Sequence, residues 1–366
     1  MKLLYITNVY IPGMWAHSLQ VMKMCEAFSK NGLEVELATG MKKDQEDKIF
    51  LYYNIKTKFK ITKIPYLDLS SQGSSKINFL LRTLSFLLFT RLYVIFKKPD
   101  ILYFRTLMAG LFFSNYYIEV HELPPRLNRW HKITLKKAKK IVVLNTFLKE
   151  ELINRGAEKE KIIIAPDAVD LEEFQIKMSL LEVRQKLSLP ADKKIIMYGG
   201  NFRAHNWKGV DILLESLKYL DDIICVLVGG QESEFSKIKE LYHNQRDNII
   251  LVGHQPHKKM PDYFKAADVL VLPNKKGNVT SEYYTSPLKL FEYMASGRPI
   301  VASSLPSIRE VLNKTNAVLV KPNNPKDLAR GIKKVFQDEI LAKKITEQSL
   351  VDVNNYTWQK RAESII

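Results

Sequence analysis

The most specific chemistry in the chain lies in the run Thr285-Ser286-Pro287-Leu288-Lys289-Leu290-Phe291-Glu292-Tyr293-Met294-Ala295-Ser296-Gly297-Arg298-Pro299. A serine or threonine before a proline suits the cap of a helix whose first turn contains that proline. The N–H groups at such a helix start lack intrahelical acceptors and carry partial positive charge, which makes the start a seat for a diphosphate. Lys289, in the first turn, adds a full positive charge. Glu292 is the sole acid from Leu288 to Ser296. Its carboxylate is placed to accept hydrogen bonds from both hydroxyls of a ribose whose phosphates rest on the helix start; the alternative is an exposed acid on an ordinary capped helix.

A second cationic segment, Gly199-Gly200-Asn201-Phe202-Arg203-Ala204-His205-Asn206-Trp207-Lys208-Gly209, follows a strand-like run. It occupies the place of a ligand-binding loop after a strand, where glycines allow close approach. Arg203 and Lys208 there would neutralise phosphates and stabilise a departing diphosphate as its charge grows. Nearer the amino terminus, Gly13 ends the first strand-like run and opens a tight loop, 13–17. His121-Glu122 ends another strand, and His121 reads either as a ligand contact or as a hydrogen-bonded histidine. The three spaced glycines of a dinucleotide fingerprint are absent, which counts against a nicotinamide or flavin cofactor. No Asp-x-Asp pair occurs in the chain, and no metal is expected.

The elements that must hold these residues alternate. Leu3 to Val9 reads as a buried strand, Ser18 to Ser29 as an amphipathic helix ended by Asn31-Gly32, and Val35 to Thr39 as the next strand, a βαβ unit of a parallel sheet. Further strands are expected at Ile101 to Phe104, Tyr117 to His121, Ile141 to Leu144 and Ile162 to Ala165, with a helix from Thr146 to Arg155. The pattern restarts after Leu189-Pro190, with strands at Ile195 to Tyr198, Ile223 to Val228, Ile249 to Val252, Val269 to Leu272, Ile300 to Ala302 and Ala317 to Val320. Helices are expected at Val210 to Leu220, Met260 to Ala266, Leu288 to Ala295 and from Asp327 into the region of Phe336. The expectation is an α/β protein of two Rossmann-like domains, 1–180 and 190–345, facing across a cleft, with a linker near 175–192. A carboxy-terminal helix, 346–366, is expected to pack back on the first.

Length and composition agree with that frame. A chain of 366 residues exceeds what one α/β core usually organises, and 46% hydrophobic with 26% charged residues is a globular composition. The formal net charge of +17 favours anionic partners: nucleic acid, phosphorylated substrates or lipid headgroups. No nucleic-acid-binding motif accompanies the charge, so no nucleic-acid partner is expected. Cys25 and Cys225 have no metal-binding spacing and read as buried free thiols of a reducing cytoplasm. The start, MKLLYITNVYIPG, reads as a strand rather than a secretion signal.

Taken together, these segments resemble the retaining GT-B glycosyltransferases of the GT4 group, the glycosyl transferases group 1 family. The likeness runs from Pro12-Gly13 to Tyr356-Thr357-Trp358 and is strongest over Ser286 to Val301, Lys208-Gly209 and Ala165-Pro166-Asp167-Ala168-Val169-Asp170. It implies transfer of a sugar, with retention, from a nucleoside-diphosphate sugar to a saccharide or polyprenyl-linked acceptor in cell-surface polysaccharide or glycolipid synthesis, without cofactor or metal. By the same resemblance Lys208 binds the donor diphosphate, the amides of Thr285, Ser286 and Leu288 around Pro287 cradle it, and Glu292 holds the ribose. His121 contacts the donor sugar, Gly253-His254 faces the base, and Gly13 lies near the phosphates or acceptor. Two departures stand out. The family's first motif glutamate falls on Tyr284, with Glu282 two residues early; and its loop arginine is served either by Arg203 or by Asn201.

The stretch Lys76 to Lys98 is strongly apolar, with five basic residues and no acid. Arg126 to Lys140 adds seven Lys and Arg and again no acid. Two readings stand for 76–98: an interfacial segment on an anionic membrane, placing the protein in the cytoplasm at the inner membrane face, or a buried helix pair with solvated lysines nearby. Rival functions are a nucleotide-sugar epimerase or hydrolase and a non-catalytic partner subunit.

Overall fold

The computed structural model describes residues 1–13, 15–42, 44–68, 76–202, 207–242 and 247–366. They form two compact units, one made of Met1–Pro166 with Trp358–Ile366 and one of Asp167–Thr357.

In the first unit the strands are β1 (Lys2–Ile11), β2 (Glu34–Lys42), β3 (Lys60–Lys63), β4 (Ile101–Phe104), β5 (Tyr116–Val120), β6 (Ala138–Val143) and β7 (Ile162–Ile164). They form one sheet in the order β3-β2-β1-β4-β5-β6-β7, and the pairings are parallel. Its helices are α1 (Ala16–Lys30), α2 (Glu46–Tyr52), α3 (Lys76–Lys97), α4 (Arg129–Lys137) and α5 (Thr146–Asn154). The strand order reverses between β1 and β4, so the chain ends after these two strands, at Gly13 and Arg105, lie at the topological switch where such sheets take ligands.

The second unit repeats the plan. Its helix α6 (Leu180–Lys186) precedes β8 (Lys194–Gly199), α7 (Val210–Ser216), β9 (Ile223–Val228), α8 (Glu232–Leu241), β10 (Ile249–Val252), α9 (Met260–Ala266) and β11 (Val269–Leu272). Then come α10 (Leu288–Ala295), β12 (Ile300–Ser303), α11 (Pro306–Arg309), β13 (Val318–Val320), α12 (Pro325–Gln337) and α13 (Glu339–Asp352). The sheet order is β10-β9-β8-β11-β12-β13, again parallel, with the reversal between β8 and β11. Alternate residues supply the two faces: Ile195 and Met197 join one buried cluster with Leu290 and Phe291, while Ile196 and Tyr198 join another with Leu213 and Ile332. A sheet covered on both faces needs continuous apolar runs, and all six residues of β9 are buried.

Residues 175–192, read above as a linker, include α6, and its Arg184 is buried. The guanidinium donates to the Ala266, Ala191 and Lys193 carbonyls and to Oδ2 of Asp268, fastening this segment to the second unit. The tail divides in two. Helix α13 stays with the second unit, where Asn316 donates to Asp352 at 2.8 Å. A last helix, α14 (Trp358–Ile365), belongs to the first. There Arg361 NH2 meets Oε1 of the fully buried Glu119 at 2.7 Å, and Arg361 Nε donates to the Pro166 carbonyl at 2.8 Å.

The segment 76–97 is one continuous helix rather than a helix pair, because it contains no proline or glycine to break it. β3 was not legible as a strand: it is only four residues long, Lys60–Lys63, with a lysine at each end suited to a sheet edge.

Replacing Arg361 by leucine strands a buried carboxylate. The first unit is expected to lose about 3 kcal/mol, read as a lower urea midpoint in equilibrium unfolding.

Candidate functional site

In the second unit the switch between β8 and β11 collects cations. β8 ends at Gly199, whose N–H donates to the Tyr293 hydroxyl at 2.9 Å. Gly200 follows with φ of 136°, and a Cβ there would fall 2.6 Å from Lys289 Nζ, so the lysine runs against bare backbone. The Lys289 amine donates to the Tyr198 hydroxyl at 2.6 Å and lies 3.8 Å from that ring's centroid. Burial, reinforced by the charge of Lys208, pushes its ammonium well below the usual lysine range, against an opposing pull from Glu292. Lys208 is also lowered, by burial, with Glu234 opposing. Two half-buried ammonium groups that raise each other's free energy form a place for an anion.

Lys208 is held by its neighbours. Gly209 caps α7 at φ of 71°, and a Cβ on it would sit 1.9 Å from the Pro273 carbonyl oxygen, so only glycine fits. The Trp207 carbonyl accepts from the Lys275 N–H at 2.7 Å and the Ser281 hydroxyl at 3.3 Å. The loop after β8 is thereby tied to the π-helical turn Thr280–Tyr284.

The start of α10 differs from expectation. Neither Thr285 nor Ser286 caps it with a side chain; Pro287 is itself the cap residue, outside the first turn. The Ser286 hydroxyl instead accepts from the Asp167 N–H at 3.1 Å, and the Thr285 N–H donates to the Thr280 carbonyl at 2.8 Å. Thr285 therefore brings no amide to a phosphate, and Pro287 has none. The amides of Leu288 and Lys289 precede the first bond of the helix, from the Leu290 N–H to the Pro287 carbonyl at 2.8 Å. Lacking a side-chain cap, this start is left open toward an external acceptor.

Glu292 is buried rather than exposed. Its Oε1 lies 2.8 Å from Nε2 of His257, and the same imidazole has Nδ1 3.5 Å from Oε2 of Glu173. One carboxylate oxygen of Glu292 is thus held by protein, which leaves Oε2 as the better placed acceptor for a pentose hydroxyl. Gly253 and the exposed His254 lie on the loop that leads from β10 to His257, the residue of this loop that reaches Glu292. Sequence reading missed His257 and Glu173. A histidine near a loop glycine was the one available signal, and it pointed to His254.

In the first unit the Gly13 N–H donates to the Tyr53 hydroxyl at 2.6 Å, which in turn donates to the Gly13 carbonyl at 3.0 Å. His121 Nε2 lies 2.7 Å from Oε1 of Glu119. That carboxylate also accepts from Gln20, Arg361 and the Tyr103 hydroxyl. Burial works to raise the Glu119 carboxyl, but Arg361, His121 and Arg105 hold it well below the usual carboxylate range. Burial and the charge of Arg105 lower His121 to about 4 against the pull of Glu119. The imidazole is neutral at pH 7, and because a carboxylate only accepts, its proton sits on Nε2 and leaves Nδ1 as an acceptor. Arg105 itself donates to the His17 carbonyl and Gln20. Glu119, Arg105, Gln20 and Arg361 were not singled out from the sequence, being separated along the chain and joined only by the fold.

Residues 181–350 match the family model for glycosyl transferases group 1. The matched stretch lies within the second unit. Over 223 residues the chain is 25% identical to D-inositol 3-phosphate glycosyltransferase of Xylanimonas cellulosilytica, covering 58% of this chain and 51% of that protein. It therefore spans about half the length of that curated relative. Among solved structures it is similar to sucrose-phosphate synthase of Thermosynechococcus elongatus, with TM-score 0.79, 19% identity and coverage of 99% of this chain and 96% of that one. Anabaena HepE in complex with UDP-glucose gives TM-score 0.75 at 14% identity, covering 100% of this chain and 98% of that one. The fold is that of GT-B glycosyltransferases, two Rossmann-like units with parallel sheets.

Within the matched stretch, Tyr284 is half-buried at the end of the π-helical turn. Glu282 does not stand in for the missing acid: its Oε1 accepts from the Gly277 N–H at 2.6 Å. Arg203 lies outside the described residues. The Asn201 carbonyl accepts from the Tyr198 hydroxyl at 3.3 Å.

Two outcomes are expected. Gly209→Ala drives a methyl into the Pro273 carbonyl and should destabilise the second unit by about 2 kcal/mol or more, measured by thermal unfolding. The folded-state pKa of His121 is depressed, so the unfolded chain takes up its proton first as pH falls. Stability should decline between pH 6.5 and about 4, and His121→Gln should flatten that part of the profile in urea titrations at fixed pH.

Proposed function

We propose that the chain transfers a sugar, with retention of anomeric configuration, from a nucleoside-diphosphate sugar to a saccharide or lipid-linked saccharide in cell-surface polysaccharide or glycolipid synthesis. The observation that carries this reading is the pair of half-buried lysines, Lys208 and Lys289, the latter held by Tyr198 beside an α10 start that has no side-chain cap, with the buried Glu292 one turn deeper. A diphosphate would relieve the mutual repulsion of the lysines, while the free oxygen of Glu292 accepts from the ribose. The UDP-glucose complex of the similarly folded HepE supports the ligand class.

The chemistry required is departure of a nucleoside diphosphate from an oxocarbenium-like sugar. Cations already held in place by the fold stabilise that departing charge with little reorganisation of water. Lys208 and Lys289 play this part, and the Leu288 and Lys289 amides extend it. His121, neutral with Nδ1 as acceptor, is proposed to take a hydroxyl of the donor sugar. The acceptor hydroxyl attacks from the face that the diphosphate leaves, the sugar–phosphate bond breaking as the new bond forms and the hydroxyl proton passing to the departing phosphate oxygen. With lysines neutralising the leaving group, the proposed reaction uses neither metal nor cofactor. The proposed setting is the cytoplasm at the inner membrane face, compatible with the buried free thiols of Cys25 and Cys225.

Calorimetric titration with uridine, guanosine, thymidine and adenosine diphosphates, with and without the attached sugar, tests the site. Lys208→Ala and Lys289→Ala should each weaken the preferred nucleotide about tenfold to a hundredfold, the range of a charge-assisted hydrogen bond. Unchanged affinity in both would reject the reading. Glu292→Gln should narrow the difference between ribose and 2′-deoxyribose nucleotides. Because the Lys289 ammonium is depressed, affinity should fall as pH rises at a lower pH than an ordinary lysine would give, and Lys289→Arg should remove that early fall. Proton NMR of the product reads the anomeric outcome, and inversion would overturn the stereochemical part.

A further inference from the structure

Helix α3 is built inside out. At about 100° per residue, Ile77, Leu81, Leu88, Leu92 and Ile95 share one stripe, with Phe96 beside it. This is the outward face: Phe96 is 83% exposed, Ile77 70% and Ile95 51%. The inward face carries Phe86, Leu87 and Val94 together with two threonines, Thr83 and Thr90, which return their hydroxyls to the Phe79 and Phe86 carbonyls. A helix packed on the sheet of a water-soluble unit normally shows the reverse arrangement. An exposed apolar stripe of this length marks an interaction surface.

The charges around the stripe choose its partner. Arg82 and Arg91 lie on opposite margins of it, Lys97 and Lys98 follow its end, and no acid occurs from Lys76 to Lys98. A second copy docking through the same stripe would set the α3 cations of both copies together, and α3 itself carries no carboxylate to meet them. An anionic lipid surface meets both features, taking the stripe among its acyl chains and the margins at its headgroups.

Helix α4 extends the same face. The Arg91 guanidinium lies 5.8 Å from the Phe113 ring centroid. Close by in sequence, the Gly110 N–H donates to Thr134 Oγ1 of α4 at 3.1 Å, and Lys137 donates to the Gly110 carbonyl at 2.9 Å. The crossovers from β3 to β4 and from β5 to β6 advance across the sheet in one direction, and right-handed connections place both helices on one side. Around α4, Arg126 to Lys140 supplies seven Lys and Arg with no acid, and Trp130 is half exposed. An exposed indole beside lysines suits the headgroup layer.

We infer that the outward faces of α3 and α4 form one docking surface for an anionic phospholipid bilayer, with α3 lying in the plane of the interface. Although α3 is long and apolar enough to cross a membrane, its inward face is committed to the unit. Tyr93 donates to Glu36 at 2.6 Å, and the Ser85 hydroxyl accepts from the Leu67 N–H at 2.9 Å. Spanning would tear α3 from the sheet; lying flat keeps these bonds.

The inference stands apart from the donor reading, since lipid binding reports on this surface whether or not a sugar is transferred. Flotation of the full chain with phosphatidylcholine vesicles, with and without about one quarter phosphatidylglycerol, tests it. The chain should partition into the anionic vesicles at least about tenfold better than into neutral ones, and less well in high salt. Leu88→Glu with Leu92→Glu should cut that partition by about tenfold or more, while far-ultraviolet circular dichroism and nucleoside-diphosphate binding stay as in the parent. Lys132→Glu with Lys136→Glu should lose the preference for anionic lipid. Failure of the parent to float with anionic vesicles, or equal flotation of the Leu88/Leu92 variant, overturns the proposal. So does a stable dimer in sedimentation equilibrium that the same variant converts to monomer.

Discussion

Two half-buried ammonium groups, Lys208 and Lys289, held at one end of the sheet are the constraint around which the site of the second unit is arranged. An ammonium costs free energy to desolvate, and two that feel each other cost more. The fold nevertheless holds Lys289 on the face of Tyr198 and brings Lys208 near enough to depress it further. Glycines make this geometry attainable. Gly200 lets the Lys289 amine reach the backbone, and Gly209 lets the chain turn past the Pro273 carbonyl straight after Lys208. Parallel strands then bring the loop after β8 and the start of α10 to the same edge of one sheet.

The first unit solves the opposite problem by a different route. Glu119 is a carboxylate with no solvent access, and it is compensated by a guanidinium, an imidazole, an amide and a phenol. This satisfied cluster fixes the tautomer and direction of His121, whereas Lys208 and Lys289 feel Glu234 and Glu292 only as opposing pulls that leave both ammonium groups lowered. The contrast separates a network that shapes a site from groups that await a ligand.

The sequence was most legible where chemistry and secondary structure coincide locally. Strands such as Ile223–Val228 and Val269–Leu272 are continuous apolar runs, and α10 follows from the spacing of Leu288, Phe291 and Ala295. Lys208, Lys289 and Glu292 sit on segments whose glycines and proline announce a turn or a helix start. Partnerships across the chain were not legible. Nothing near residue 257 or 173 in sequence points to Glu292, and nothing around Arg361 points to Glu119; these contacts exist because strands distant in order lie side by side. The capping expectation at Ser286 failed for a related reason. Its hydroxyl had a second possible donor, Asp167, that only the folded chain brings near.

The placement of α14 has a bearing on how the polypeptide matures. The first unit contains every strand of its sheet by residue 166, yet the guanidinium that neutralises Glu119 is encoded after the whole of the second unit. During synthesis the amino-terminal sheet must wait with a buried acid that has Arg105 and His121 near it but not yet the guanidinium of Arg361. Its final locking is thereby deferred until the unit inserted between its two parts has emerged, which orders assembly in time and makes the last helix a clasp for the first-made domain.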